Sequence, residues 1–136
     1  MIGVVIITHS RLAHELRNAA EMILGELEAV EPISIDRDMS VSLAKETLIN
    51  ALSRVDSGGD GTIILTDLFG GTPTNISAEF LRPGHVEILT GVNLPMLIKC
   101  VGARSGQSVD DLAIMLKDYA RNAIMRPAEL LRSVEA

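Results

Sequence analysis

Short apolar runs alternate along the chain with longer stretches in which apolar residues recur at spacings of three and four. The runs predict β-strands, and the longer stretches predict amphipathic helices. Four runs have the length of a strand, at residues 2–8, 30–35, 62–66 and 86–89. Strands that alternate with helices are typical of βαβ units with right-handed crossovers. The pattern therefore predicts an α/β fold, with a doubly wound, mostly parallel central sheet of four strands in a three-layer αβα arrangement.

The composition of the first two runs predicts their places in the sheet. The run at residues 2–8 is almost entirely apolar and β-branched, as expected of a strand buried on both faces. We therefore expect it to be central. The run at residues 30–35 contains Pro32, which has no backbone N–H to donate to a neighbouring strand. This second strand is expected at an edge of the sheet.

Helical stretches are predicted between the strands and after the last one. They begin at Ser10, Val41 and Thr72, and two more are expected after residues 90–95 and at Ser108. The apolar stripe of the first helix consists of Leu12, Leu16, Ala19, Ala20, Ile23 and Leu24. A chain of 136 residues favours a single domain, which we place at residues 1–126, followed by a C-terminal tail at 127–136.

Composition and charge narrow the classes of partner. The chain is 47% hydrophobic and only 2% aromatic, and its formal net charge is −6. So few aromatic residues cannot build a stacking surface for single-stranded nucleic acid, and phosphate backbones are bound by basic patches. We expect no nucleic-acid partner and no direct membrane contact. The lone Cys100 predicts a buried, inert thiol rather than a disulfide. The first apolar run is too short to cross a bilayer, so a cytoplasmic location is expected.

Two chemically active side chains follow predicted strands at the point where each strand ends. His9 comes directly after the first strand and Asp67 directly after the third. Because the carboxyl ends of parallel strands share one edge, we expect both side chains there, beside the loop at residues 90–95. A carboxylate that accepts the Nδ1 proton of an imidazole leaves Nε2 free as a nucleophile. Asp67 could also cap the turn that follows it, and the two uses can coexist.

The loop after Asp67 suits an anion. Gly70 and Gly71 offer unhindered backbone N–H groups, and Thr72 followed by Pro73 predicts a helix start with Thr72 as the N-cap. These residues suit a phosphoryl group, so phosphoryl transfer is the leading reaction class. No acidic cluster follows the first strand and no lysine lies beside the glycines. We therefore expect no metal and no cofactor, and a donor whose phosphoryl group is already activated.

Three segments resemble one known family. They are VVIITHS at residues 4–10, LTDLFGGTPTN at 65–75 and TGVNLPML at 90–97. All three resemble the enzyme IIA components of the mannose family of the phosphoenolpyruvate-dependent sugar phosphotransferase system. The resemblance implies that His9 accepts a phosphoryl group from phospho-HPr and passes it to a separate IIB component, or serves as a regulatory phospho-acceptor. It also implies that Asp67 orients His9.

The same resemblance implies further residues and partners. Gly71 and Thr72 would line the phosphoryl site, and Phe69 would contribute to the rim that docks the partner. The family's last short strand is exchanged between the subunits of a homodimer, which would involve residues 123–126 here. Contact with a membrane would be indirect, through a IIC/IID permease. Ser10 stands where a glycine is frequent in the family, and Thr72 where a serine is; both keep a small side chain.

Other functions remain open at this point. The phosphotransfer subunit of a dihydroxyacetone kinase has a similar fold and also uses a histidine after its first strand, although the run FGGTPTN favours the IIA component. A hydrolase would need Ser10, His9 and Asp67 as a triad, but the chain has no G-x-S-x-G nucleophile elbow. A pure binding module would leave the pairing of His9 with Asp67 unexplained. His14 and His85 are expected to be solvated bystanders.

Overall fold

Four parallel strands form a single sheet in the computed structural model, which describes residues 1–56 and 58–135. The strands are β1 (Gly3–His9), β2 (Val30–Ile35), β3 (Thr62–Thr66) and β4 (Val86–Leu89). Their order across the sheet is β2-β1-β3-β4, and every neighbouring pair is parallel. Because all four strands run the same way, their carboxyl ends share one edge.

The positions of β1 and β2 agree with the prediction from composition. β1 pairs with β2 on one side and with β3 on the other, and its six residues before His9 are buried. β2 lies at an edge with Pro32 opposite Ile6, so the missing N–H of the proline does not interrupt the interior of the sheet. The central strand is thus the one that ends at His9.

Helices cover both faces of this sheet. They are α1 (Leu12–Leu24), α2 (Val41–Val55), α3 (Thr72–Ala78), α4 (Leu94–Ala103), α5 (Val109–Asn122) and α6 (Pro127–Glu135). Residues of α1, α4 and α5 pack against one face, and residues of α2 and α3 against the other. The three-layer, doubly wound α/β architecture is therefore confirmed.

Alternate residues of β1 supply the two halves of the core. Val4 and Ile6 pack with Leu97 and Leu112 on one face, whereas Val5 and Ile7 belong to the cluster on the other. This separation follows from the two-residue period of a strand. Full burial of one such aliphatic side chain contributes about 1.5–3 kcal/mol. Both faces are therefore anchored, and the end of β1 has little freedom to shift.

The first helix is rotated relative to its predicted stripe. Ala13 and Ala20 are its buried residues, while Leu12, Ile23 and Leu24 are exposed. Two alanines let the helix approach the sheet closely, so the contact line runs along the small residues and leaves the larger ones at its flank. The prediction that Leu12, Ile23 and Leu24 face the core is wrong.

The predicted C-terminal tail contains a helix. α6 occupies residues 127–135, and Leu130 and Leu131 on it are exposed. Ala136, the last residue of the predicted tail, lies outside the described residues. Residues 123–126 form no strand within the single chain, and Ala123 caps the end of α5. The exchanged strand expected at this position stays a prediction.

Candidate functional site

His9 and Asp67 lie side by side at the carboxyl edge of the sheet. β1 and β3 pair in register with Ile7 opposite Thr66, so the next residues of both strands emerge together. The Oδ2 atom of Asp67 lies 2.9 Å from Nδ1 of His9. The same oxygen accepts a hydrogen bond from the backbone N–H of His9, at 3.0 Å. One carboxylate oxygen thus fixes both the backbone and the ring of the histidine.

This contact determines which ring nitrogen is available. An ionised carboxylate only accepts hydrogen bonds, so the proton of a neutral His9 ring is assigned to Nδ1. The other nitrogen, Nε2, keeps its lone pair and has no hydrogen-bond partner in the part of the chain that the structure describes. The His9 side chain is 47% exposed, against 12% for Asp67. An oriented imidazole with an unused, accessible nitrogen is equipped for nucleophilic attack.

The electrostatics of Asp67 favour its ionised form. Burial by itself would raise the pKa of this carboxyl group, but the hydrogen bonds and the charge of His9 outweigh burial and lower the pKa below its ordinary value. The Oδ1 atom also accepts a hydrogen bond from the backbone N–H of Leu68, at 3.0 Å. Asp67 therefore caps the following turn and contacts His9 at the same time, as the sequence allowed.

A sharp turn directly after His9 separates β1 from α1. Ser10 has a φ of 52°, in the left-handed region, and its N–H donates to the carbonyl oxygen of Ile35 at 3.0 Å. A non-glycine residue in this conformation costs roughly 1 kcal/mol. Ser10 therefore cannot begin the helix, and α1 starts at Leu12 with Arg11 as its N-cap. The Oγ1 atom of Thr8 accepts the N–H of Ala13 at 2.8 Å, which joins the strand to the helix.

The glycine loop lies against the Cε1 and Nε2 atoms of the His9 imidazole. A Cβ atom placed on Gly71 would lie 2.8 Å from Cε1 of His9 and 3.3 Å from Nε2. No side chain fits there while the ring keeps this position, so glycine is what lets the backbone approach the ring this closely. Gly70 has a φ of 88°, a conformation suited to glycine, and makes the turn before it. Glycine is therefore required at the two positions for different reasons: the positive φ at Gly70 and the close approach to the ring at Gly71.

The start of α3 differs from the prediction by one residue. Gly71 is the N-cap, Thr72 is the first helical residue and Pro73 the second, so Thr72 does not cap the helix. Instead, Thr72 lines an open cavity of about 520 Å³ together with His9 and Ser10. The hydroxyl that was expected to cap is thereby available to a ligand beside the ring.

The sequence interpretation missed Thr74, which supports the glycine loop from below. Its hydroxyl donates to the carbonyl oxygen of Leu68 and lies 2.8 Å from the hydroxyl of Thr66. These buried contacts tie the loop to the end of β3. No local pattern indicates them, because the partners Thr66 and Leu68 are brought to Thr74 by the fold of the loop.

The third expected loop also reaches this edge. The N–H of Val92 donates to the carbonyl oxygen of Thr66 at 2.9 Å. Asn93 caps α4, since its side-chain oxygen accepts the N–H of Met96 at 2.9 Å. The loop at residues 90–95 therefore lies beside the end of β3, as expected.

The remaining candidates lie outside this arrangement. Nδ1 of His14 is 2.8 Å from the hydroxyl of Ser34, so His14 links α1 to β2 and is not the solvated bystander that was predicted. His85 is exposed. Cys100 is buried, and burial raises the pKa of its thiol to about 12, so the prediction of an inert thiol is confirmed.

The described residues contain neither a group of metal-ligating side chains nor a helix that could span a membrane. Between residues 1–56 and 58–135, three or more His, Cys, Asp or Glu side chains never gather closely enough to ligate a metal ion. Within the same residues, each helix is too short or too polar to cross a membrane.

Comparisons with known proteins agree on one family. The sequence profile of the PTS system fructose IIA component matches residues 3–117. The mannose-specific EIIAB component of Escherichia coli K12 is 32% identical over 125 residues, which cover 90% of this chain. The sorbose-specific EIIA component of Lacticaseibacillus casei is 30% identical over 110 residues, which cover 80% of this chain and 78% of that protein. The match spans 38% of the length of the Escherichia coli protein.

A solved structure extends this similarity to the fold. The phosphotransferase system component EIIA from Streptococcus agalactiae superposes with a TM-score of 0.85 at 27% identity, covering 95% of this chain and 99% of that one. Because the profile matches residues 3–117, the similarity covers the edge that carries His9 and Asp67. The chain therefore belongs to the mannose/fructose family of enzyme IIA components of the sugar phosphotransferase system.

Proposed function

We propose that this chain is a phosphoryl carrier in which Nε2 of His9 accepts a phosphoryl group from phospho-HPr and passes it to a separate IIB component. The observation that carries the proposal is the 2.9 Å contact between Nδ1 of His9 and Oδ2 of Asp67, which leaves Nε2 unused. Membership of the IIA family supports the same reaction class. Phosphorylated His9 would serve either sugar transport, through the IIB component, or regulation.

The reaction is a displacement at phosphorus. The lone pair of Nε2 forms a bond to phosphorus while the bond between phosphorus and the donor's histidine nitrogen breaks, and the donor ring keeps that electron pair. The His9 ring becomes positively charged as the bond forms, and its Nδ1 proton stays in the hydrogen bond to Asp67. The carboxylate therefore stabilises the product cation besides fixing the tautomer.

The glycine loop would receive the phosphoryl oxygens. Gly71 lies against the side of the ring that carries Nε2, Thr72 lines the same cavity as His9, and Gly70 makes the turn just before them. Backbone N–H groups and a hydroxyl are the donors that a phosphoryl group accepts from most readily. We infer that these three residues bind the transferred group.

Docking of the partner proteins would use the apolar rim beside this loop. The side chain of Phe69 is 87% exposed, and Leu68 next to it is also exposed. Large exposed apolar side chains around a site are typical of protein contacts. HPr and the IIB component would each cover this rim in turn. Any membrane contact would pass through a IIC/IID permease, with the carrier itself in the cytoplasm.

A homodimer is part of the same proposal. An apolar groove of about 620 Å³ lies beside the edge strand β4, lined by residues that include Leu81, Ile88, Leu89 and Ile124. The outer side of β4 has no paired strand among the described residues. A strand from a second subunit, formed by residues 123–126, would satisfy that edge. Sedimentation of the full chain tests this state, and a monomer at micromolar concentration would contradict it.

The experiment that tests the carrier function reconstitutes the phosphoryl chain. Phosphoenolpyruvate, enzyme I and HPr together should add one acid-labile phosphoryl group to the protein, seen by intact mass. His9→Ala should abolish the label, whereas His85→Ala, which removes an exposed histidine, should keep it. Label that persists in His9→Ala would overturn the site.

Transfer to an acceptor separates the two phosphotransfer functions. The isolated phosphorylated protein should pass its label to a IIB component. Transfer to the ADP bound by a dihydroxyacetone kinase subunit, with none to the IIB component, would replace the proposal by that alternative.

A further inference from the structure

The loop that follows β2 forms a wall of the cavity in front of His9. β1 and β2 pair in register with His9 opposite Ile35, and the N–H of Ser10 donates to the carbonyl oxygen of Ile35 at 3.0 Å. The chain then runs through residues 36–40 before α2 begins at Val41. The strand register therefore brings this loop next to the nucleophile, although 26 residues separate Ile35 from His9 in sequence.

The side chains around this cavity include one cation and one carboxylate. His9, Ser10 and Thr72 line it from the strand ends and the glycine loop, and Asp36 and Arg37 line it from the loop after β2. Arg37 is the lining residue with a permanent positive charge, and Asp36 is the one with a carboxylate. The cavity therefore has one cation that an incoming anion could use.

The guanidinium of Arg37 is not committed to another group. Arg54 forms an ion pair with Glu31 at 3.0 Å, and Arg126 pairs with Glu129 at 3.2 Å. Arg37 has no ion pair and no side-chain hydrogen bond with the residues described, although it lies between Asp36 and Asp38 in the sequence. All five of its N–H donors thus remain available, in a geometry that matches two oxygens of one phosphoryl group.

The negative charges of the phosphorylated site require a nearby cation, and Arg37 is positioned to supply it. Phosphorylation of Nε2 places a doubly charged group near Asp67, whose lowered pKa keeps it ionised, and near Asp36. An anion added beside two carboxylates is repelled unless a cation lies close to it. The Nδ1 proton of His9 is already used by Asp67 and cannot serve the phosphoryl oxygens.

We propose that Arg37 binds the phosphoryl group on His9 through a charge-assisted pair with its oxygens. This inference rests on the proposed carrier function and adds a residue from a third strand end to it. The pair forms as the phosphoryl group arrives and breaks as it leaves, so Arg37 makes no covalent bond and transfers no proton. Arg37 stabilises both the transition state and the phosphorylated product.

The test compares Arg37→Ala and Arg37→Lys with a matched control. Arg82→Ala removes an exposed arginine near the start of β4, at the opposite edge of the sheet from His9. Each variant is phosphorylated with phospho-HPr and, separately, with phosphoramidate, a small donor that needs no docking surface. Arg37→Ala should lower the initial rate about tenfold or more with both donors, since a charge-assisted hydrogen bond contributes that much. Arg37→Lys should recover part of the rate, and Arg82→Ala should stay within about twofold of the wild type.

A second readout reports the phosphoryl group directly. A nearby cation favours its dianion, so the pKa of the phosphoryl group, followed by ³¹P NMR in the isolated protein, should rise in Arg37→Ala and stay unchanged in Arg82→Ala. Unchanged rates and an unchanged phosphoryl pKa in Arg37→Ala would overturn the inference while the carrier function stands. So would a rate loss with phospho-HPr alone, because it would assign Arg37 to docking. A wild-type protein that neither donor labels would overturn the carrier function itself and this inference with it.

Discussion

The two ends of the sheet each contain a basic side chain in a network of hydrogen bonds, and the two networks differ in one respect. At the amino end, Arg104 is 4% exposed and donates to the carbonyl oxygens of Ile2, Glu28 and Ala29. At the carboxyl end, His9 is half exposed and uses one of its two ring nitrogens. Arg104 is buried and bonded to three backbone carbonyls, whereas His9 has an unbonded ring nitrogen in reach of solvent.

This difference separates a structural contact from the one that we propose to be reactive. Arg104 follows α4 and joins it to the starts of β1 and β2, so its hydrogen bonds to backbone carbonyls stabilise the fold. The contact between His9 and Asp67 also joins two strands, yet it leaves Nε2 with a free lone pair. A short polar contact therefore does not identify a site by itself. A free, oriented atom next to that contact does.

The largest effect on stability is expected at the amino end. Arg104→Met should lower the free energy of unfolding by about 3 kcal/mol, because it removes three hydrogen bonds from a charged group to backbone carbonyls, one of them buried and two partly buried. Urea denaturation measures this loss, with the exposed Arg82→Ala as the control. The folded fraction of Arg104→Met should still be phosphorylated at the wild-type rate, and a specific loss of phosphorylation would contradict the separation of the two ends.

At the carboxyl end, Asp67→Asn should act mainly on the reaction. The amide cannot stabilise the positive ring and can support the wrong tautomer, so the rate of His9 phosphorylation should fall about 100-fold. A single-turnover assay with phospho-HPr measures this. Asp118→Asn, the same change at an exposed position of α5, is the matched control. Equal rates in the two variants would remove Asp67 from the mechanism.

Gly71→Ala should have a smaller effect on the same reaction. The new methyl group would displace the His9 ring, which is half exposed and can move, so stability should change by less than about 1 kcal/mol. Displacement from Asp67 should slow phosphorylation about tenfold. Gly102→Ala, in open space on α4, is the control. A normal rate in Gly71→Ala would show that the close approach to the ring is not needed.

The smallest effect is a dependence of stability on pH. Because the folded pKa of Asp67 is lowered, its ionised form stabilises the fold above the unfolded pKa, and that stabilisation is lost as the pH falls through the folded value. The difference in unfolding free energy between the wild type and Asp67→Asn should therefore be constant above about pH 5. Below about pH 4 this difference should decrease as Asp67 becomes protonated. In a His9→Ala background the folded pKa of Asp67 should lie higher, because the hydrogen bond from the ring is absent, so the difference should be smaller and should reach its low-pH limit at a higher pH. The same difference and the same low-pH limit in both backgrounds would contradict the assignment.

Much of the fold and the central pair could be predicted from sequence because both depend on local patterns. The strands are found as short apolar runs, and the edge position of β2 follows because Pro32 has no backbone N–H to donate. His9 and Asp67 are found because each comes directly after a strand. The parallel arrangement then brings them together. The same reasoning placed the loop at residues 90–95 at that edge.

Other features depend on long-range packing that no local pattern indicates. The buried face of α1 adds Ala13 and keeps Leu16 and Ala20 of the predicted stripe, while Leu12, Ile23 and Leu24 are exposed; both faces satisfy a helical spacing, so periodicity could not choose between them. The burial of Arg104 depends on backbone carbonyls about 75 to 102 residues away in sequence. The position of Arg37 beside His9 follows only once the register of β2 is known.

The most direct test of the account is the identity of the phosphorylated nitrogen. The protein, labelled with ¹⁵N in its histidines, is phosphorylated through HPr, and the coupling between ³¹P and ¹⁵N is recorded by NMR. The account predicts one phosphoryl group on Nε2 of His9, because Asp67 occupies Nδ1. A phosphoryl group on Nδ1 of His9, or on any other residue, would contradict it.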